Sequence, residues 1–243
     1  MADVRTHYDR LLGPVYTWMA GGIESALRRG ADELDALGAA PTVTGALAVD
    51  LGAGFGMHAI PLAERGFEVL AIDACAGLLD ELRGRAGALP IRTVEDDLLS
   101  FEKHLARAPE IVLCMGDTLT HLADEPSVER LVAGVASVLA PGGRFVATLR
   151  DYSSPPTGER RFIPVRSDDR RILTCFLEPG ATHVIVHDIL HERVNGEWTM
   201  RVSSYPKLRL APARLASVLE ARGLRVDART MPSGMIRVTA VRA

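Results

Sequence analysis

Between Ala46 and Met57 the chain passes from a short apolar run, through a turn built on glycine, into a helix-like segment: Val49-Asp50-Leu51-Gly52-Ala53-Gly54-Phe55-Gly56. No other stretch restricts the fold as strongly. Glycine enters left-handed backbone conformations freely and, lacking Cβ, lets a main chain approach a ligand closely; the helix that follows offers N–H groups with no internal partner. A strand, a glycine turn and a helix in that order make one half of a βαβ unit, and the text downstream repeats the rhythm. Phe67 to Asp73 reads as strand and Ala76 to Arg85 as helix. Ile91 to Glu95 and Glu110 to Met115 are strands, Val128 to Leu139 is a helix stopped by Pro141-Gly142-Gly143, and Arg144 to Leu149 is a strand. The first helix of the series is expected over Met57 to Arg65. Strands that are apolar on both faces, alternating with helices, imply a parallel sheet covered on both sides.

The rhythm stops after Arg150. Arg161 to Arg166, Arg171 to Leu177, His183 to Val194 and Glu197 to Tyr205 are strand-like, the last two flanking Asn195-Gly196, a strong hairpin signal. They read as an antiparallel meander inserted in the α/β domain. Pro212 then opens a helix that runs to Arg222, and Leu224 to Thr230 and Met235 to Val241 close the chain as a hairpin. Before the glycine turn, Ile23 to Leu37 has apolar residues at helical spacing. With 243 residues, one large domain carrying an insertion is the organisation expected. Residues 1–40 form an N-terminal helical arm or lid, 41–152 with 211–243 the α/β domain, and 153–210 the antiparallel layer.

Acidic residues fall where such a sheet would use them. Asp73 ends the second strand, where a carboxylate accepts both hydroxyls of a ribose. Asp96-Asp97 follows the third strand, within reach of an adenine amine. The glycine spacing is G-x-G-x-G, and Met57 stands where a dinucleotide fingerprint places its third glycine.

With these pieces in order, the chain resembles the class I S-adenosylmethionine-dependent methyltransferases. The matching text is the run from Val49 to Gly56, then Asp73, Asp97-Leu98, Ile111 to Gly116 and Leu139-Ala140-Pro141-Gly142-Gly143, within residues 46–150. The resemblance implies a Rossmann-like sheet of seven strands whose last is antiparallel. It further implies that Gly52, Gly54 and Gly56 pass under the methionine part of the cofactor and that Asp50 holds the loop. Asp73 would bind the ribose, Asp97 the adenine amine and the Leu98 N–H the ring. The meander resembles the layer that glycine and sarcosine N-methyltransferases fold over their active sites. The activity implied is methyl transfer from S-adenosylmethionine to an amine or hydroxyl of a small molecule, leaving S-adenosylhomocysteine. Three readings stand beside it: a protein that binds the cofactor without transfer, a methyltransferase of macromolecules, and an NAD-dependent oxidoreductase.

Ligands of open α/β sheets sit beyond the carboxyl ends of the strands. With the cofactor over the first three, the acceptor is expected against Cys114-Met115-Gly116-Asp117-Thr118-Leu119-Thr120-His121 and Arg150-Asp151-Tyr152, Met115 touching the cofactor. His121 reads as a general base or as a surface histidine at a helix start. Asp117 reads as an acceptor from an amine or as a helix cap, Arg150 as a clamp on a carboxylate or phosphate or as the partner of Asp151. Tyr8 and Tyr16, in the aromatic arm His7 to Met19, read as a lid over the cofactor or as packing at the sheet edge.

His183, His187 and His191 are spaced by four, and His187-Asp188-Ile189-Leu190-His191 is similar to a zinc-protease helix with Asp in place of Glu. The β-branched text around them favours a strand, which puts successive histidines ~13 Å apart, so no metal site is expected. A net charge of −3 speaks against a nucleic-acid partner. No run of ~18 apolar residues suggests a membrane span, and Met1 to Arg10 lacks a signal-peptide core. Cys75, Cys114 and Cys175, widely spaced, suit a reducing cytoplasm. The arginines of the meander read as a solvated face, as the lining of an anionic pocket, or as a subunit interface through which the chain forms a homodimer.

Overall fold

A computed structural model describes residues 3–243; Met1 and Ala2, at the start of the expected arm, lie outside the described residues. Seven strands form one sheet: β1 Leu47–Leu51, β2 Glu68–Asp73, β3 Ile91–Glu95, β4 Ile111–Cys114, β5 Arg144–Leu149, β10 Leu224–Thr230 and β11 Ile236–Arg242. Their order is β10-β11-β5-β4-β1-β2-β3. The pairs from β3 to β5 are parallel, and β11 runs antiparallel to both its neighbours, as the resemblance implied. Between β5 and β10 the chain builds a second, antiparallel sheet from β6 Phe162–Ser167, β7 Arg171–Pro179, β8 His183–Val194 and β9 Glu197–Leu208, in that spatial order.

The first sheet has a core on each face because its central strand is buried throughout and its side chains alternate. Val49 and Leu51 point to the face covered by α6 Glu125–Val138 and α7 Pro212–Glu220, where they meet Val132, Val135 and Leu215. Ala48 points the other way, among Leu34, Leu62 and Leu79 of α3 Ile23–Ala36, α4 Ala59–Glu64 and α5 Ala76–Ala86. The arm before α3 comprises α1 Val4–His7, a π-helical turn Tyr8–Leu12 and α2 Gly13–Met19. It packs Leu11, Leu12 and Val15 on Leu173 and Leu190 of the second sheet.

Of the boundaries that differ from the sequence reading, three have a clear local reason. The helix expected from Met57 begins at Ala59, because Gly56, with φ of +95°, prolongs the turn. The helix expected from Val128 begins at Glu125, because Asp124 Oδ1 accepts the Ser127 N–H at 2.8 Å and Pro126 occupies the first turn. Strand β9, expected to stop at Tyr205, continues to Leu208. Pro206 pairs with Ile185, and as β9 is an edge strand its missing N–H costs no ladder bond.

One close approach fixes α3 against the turn below the site. A Cβ on Gly30 would overlap the carbonyl oxygen of Met57. Gly30→Ala is therefore expected to cost about 1–3 kcal/mol through a forced backbone shift, read as a lowered urea midpoint with an unchanged slope.

Candidate active site

The carboxyl ends of β1, β2, β4 and β5 share one edge of the first sheet, and every polar feature of the glycine turn converges there. Gly52, Gly54 and Gly56 have φ of +76°, +52° and +95°. Their reasons differ. A Cβ on Gly52 would lie 2.5 Å from Thr118 Cγ2, and one on Gly56 would strike Leu82, so packing demands both. At Gly54 a Cβ would meet nothing nearer than Leu78 Cδ1 at 3.9 Å, so the positive φ demands that glycine and the space beside it is open. Asp73 ties the turn to the second strand: Oδ2 accepts the Gly54 N–H and Oδ1 the Cys75 N–H, each at 2.8 Å. Each oxygen keeps a second acceptor site. An open cradle beside a half-buried carboxylate fits a ribose-bearing cofactor such as S-adenosylmethionine.

Asp50 lies beneath the turn, 1% exposed, with Oδ2 unpartnered. Burial pushes its carboxyl up to about 6, against the counter-pull of His58. The Ala59 N–H at the start of α4 also pulls this carboxyl down, by less than burial raises it. Asp97 is exposed and caps a 3₁₀ turn, Oδ1 accepting the Leu99 N–H at 2.7 Å, while Leu98 packs partly on the core. The Met115 side chain is turned into the core with Ala48, Ala53 and Leu113.

The other half of the site forms around Asp117, a non-glycine residue at φ +72° and 3% exposed. Oδ1 accepts the Arg150 N–H at 2.9 Å; Oδ2 accepts the Tyr152 hydroxyl at 3.4 Å and forms an ion pair with the Lys207 ammonium. Its side chain makes no helix-cap hydrogen bond, which removes that alternative. Arg150 is exposed, and Asp151 is not its partner: that carboxylate accepts the Ser153 N–H at 2.9 Å.

His121 ends a 3₁₀ turn rather than starting a surface helix. It is half-buried, and its Nδ1 is sealed from solvent and unpartnered. Its ring stacks on Tyr205 at 5.4 Å and meets the edge of Tyr8 at 5.7 Å. Tyr8 in turn touches Tyr16 at 5.7 Å, and Tyr16 rests on Phe55 of the glycine turn at 5.9 Å. The arm thus lies over the turn, and Arg5 crosses the strand ends from the Ala74 carbonyl to Glu95. All four tyrosines of the chain, Tyr8, Tyr16, Tyr152 and Tyr205, gather here. Burial raises each phenol, so all four stay protonated. Burial, the Lys207 ammonium and His7 hold His121 well below the ordinary imidazole range, so at neutral pH it is uncharged.

Tyr205, Lys207 and His7 were not singled out from sequence. Fully buried His7 locks the arm to the second sheet, Nε2 3.0 Å from Asp188 Oδ2 and Nδ1 2.9 Å from Ser203 Oγ. His183, His187 and His191 lie along strand β8, as expected. His183 Nε2 meets the Ala123 carbonyl and His187 Nε2 meets Glu178, 2.9 and 3.0 Å away. The meander arginines are mostly exposed. Arg166 and Arg171 lie over the Trp18 ring, 5.7 and 5.8 Å from its centroid. The three cysteines are free and buried, and desolvation raises every thiol, Cys175 to about 12.

Residues 48–143 match a family model described as a methyltransferase domain. The glycine/sarcosine N-methyltransferase of Halorhodospira halochloris is 29% identical over 106 residues, 43% of this chain and 40% of that protein. The cypemycin N-terminal methyltransferase of a Streptomyces species is 30% identical over 159 residues, 57% and 62% of the two chains. The chain therefore spans less than two thirds of the length of either relative. The solved structure of the CcbJ methyltransferase from Streptomyces caelestis shares the fold: TM-score 0.78 over 100% of this chain and 99% of that one, at 22% identity.

The state of Asp50 is measurable as stability. A carboxyl raised from 3.8 to about 6 in the fold is disfavoured when ionised: the penalty is full above about pH 6, falls as pH drops through 6, and is gone below 3.8. Against Asp50→Asn, the unmodified chain is expected to gain roughly 1 kcal/mol in urea unfolding between pH 8 and pH 5, out of a penalty of about 3 at pH 8.

Proposed function

We propose that this chain, whose residues 48–143 match a family model described as a methyltransferase domain, transfers a methyl group from S-adenosylmethionine to a nucleophile on a small molecule by in-line displacement. A sulfonium cofactor supplies the activated methyl. The chain's own part is to hold that cofactor, exclude water, and present the acceptor with a free lone pair.

The observation that carries this reading is the state of the groups around the methyl-transfer position. Four phenols remain protonated, and Asp117 is occupied by Lys207. That leaves His121, uncharged and with an unpartnered nitrogen, as the proton acceptor. An acceptor arriving as an ammonium or a hydroxyl must lose a proton. The sequence relatives named above are, by name, a glycine/sarcosine N-methyltransferase and a cypemycin N-terminal methyltransferase, which supports an amine over a hydroxyl. On the cofactor side, Gly52, Gly54 and Gly56 would pass beneath the methionine portion, Asp50 would brace the turn, and Asp73 would hold the ribose. Asp97 and the Leu98 N–H would meet the adenine, with Met115 beneath and Tyr8 and Tyr16 as the lid. Exposed Arg150 fits a carboxylate or phosphate on the acceptor.

In this proposal residues 1–40 are the lid, 41–152 with 211–243 the cofactor domain and 153–210 the covering layer, working in the cytoplasm. Among the described residues no helix is long and apolar enough to cross a membrane. The outer face of the second sheet exposes Phe162, Ile172, Trp198, Met200 and Val202, which supports a homodimer through that layer. Sedimentation of a monomer at micromolar concentration would remove that part.

Incubation with labelled S-adenosylmethionine and a panel of small amines, followed by mass spectrometry, should place the label on an amine. Label found only in protein or RNA overturns the substrate class, and calorimetric binding of NAD instead of S-adenosylhomocysteine overturns the reading altogether. Asp73→Ala is expected to weaken S-adenosylhomocysteine at least about tenfold, about 1.4 kcal/mol. Arg150→Ala is expected to raise KM for anionic acceptors about tenfold, with kcat little changed.

A further inference from the structure

The Lys207–Asp117 pair is nearly sealed, with the two side chains 10% and 4% exposed. Burying two charges is costly before their attraction is counted, and an apolar pair of similar volume would join the two sheets at least as well. Its placement suggests another use. Tyr205 and Lys207 stand two residues apart on β9, so their side chains share a face. Tyr205 stacks on His121 and Lys207 sits on Asp117, the residue that leads into the turn ending in His121. One edge strand thus grips that turn at both ends, and the His121 Nδ1 between the grips has no partner.

Resting on the reading of His121 as proton acceptor, we propose that Lys207 is the positioning residue of the acceptor site: seated on Asp117, its ammonium fixes the turn and faces the His121 ring, so that the imidazole meets the acceptor with an unpartnered nitrogen. When the acceptor N–H bond breaks, its electron pair stays on the acceptor nitrogen and its proton passes to His121.

The groups around His121 and its turn come from three places. Lys207 and Tyr205 belong to β9, His7 and Tyr8 to the arm, and Asp117, which accepts the Arg150 N–H and the Tyr152 hydroxyl, to the turn itself. The tyrosines are protonated and carry no charge. Lys207 and His7 are the groups whose charge acts on His121. A fixed positive charge beside an imidazole disfavours the imidazolium.

The test is a proton–nitrogen NMR titration of the histidine rings in the full chain, His121 assigned by its loss in His121→Gln. Lys207→Met is expected to raise the His121 midpoint by about one pH unit, a tenfold change in proton affinity, and Lys207→Arg to leave it in place. Lys207→Met strands the Asp117 carboxylate; if that variant does not fold, Lys207→Met with Asp117→Asn removes both charges and is expected to raise the midpoint too. An unchanged midpoint in the folded variants overturns the proposal, as does a shift of equal size in Lys207→Arg. With an acceptor in hand, the acidic limb of the kcat profile moves with the midpoint, whereas a purely structural Lys207 would lower kcat at every pH. The titration needs no turnover. Failure of the methyltransferase reading would register separately, as no binding of S-adenosylhomocysteine by the unmodified chain.

Discussion

The carboxylate of Asp117 is where three remote pieces of chain become one site. It receives the backbone of Arg150 from the end of β5, the hydroxyl of Tyr152 and the ammonium of Lys207 from the second sheet. Its own backbone is held by Thr148, whose carbonyl accepts the Asp117 N–H at 2.9 Å and whose hydroxyl accepts the Gly116 N–H at 2.8 Å. A buried carboxylate that lost these donors would be an uncompensated charge, so the second sheet is anchored where it is with respect to β4 and β5. The aromatic cluster, and the approach of the arm to the glycine turn, follow from that anchoring.

What could be read from the sequence was local. The glycine turn, Asp73, and the alternation of strands and helices are written within windows of ten to twenty residues, and the structure has them where the periodicity put them. The hairpin at Asn195-Gly196 is of the same kind, with Asn195 at φ +53° and Gly196 at +89°. The acceptor side was less legible because its residues meet only through tertiary packing. His7 and Asp188 are 181 residues apart, Asp117 and Lys207 90. Lys207 lay beyond the expected end of β9 at Tyr205; the strand runs three residues further, through Pro206, which an edge strand accommodates. Asp117 was visible, but its role was not, since an αL aspartate tied to a lysine looks in sequence like a helix cap.

The arm shows how far a short irregularity can reach. A regular α-helix through residues 4–19 would turn 100° per residue; the π turn at Tyr8–Leu12 departs from that count within one turn. With it, His7 faces Asp188 while Tyr8 faces His121 and Tyr16 faces Phe55, three neighbours on one strand and two turns. Gly21 and Gly22, at φ +98° and +86°, then turn the chain into α3 without strain. The sequence announced an aromatic arm, but not which way each ring would point.

The burial of the three cysteines has a consequence in the language of alkylation chemistry. A sulfonium methyl is an electrophile, and the strongest nucleophile a protein can set against it is a thiolate. Cys75 packs with Phe55 of the glycine turn, Cys114 ends β4, and Cys175 belongs to the sheet that covers the site. Each is held as a protonated thiol by desolvation. In the proposed methyl transfer the chain would keep its own sulfur from taking the methyl group, and would do so with nothing more than apolar neighbours.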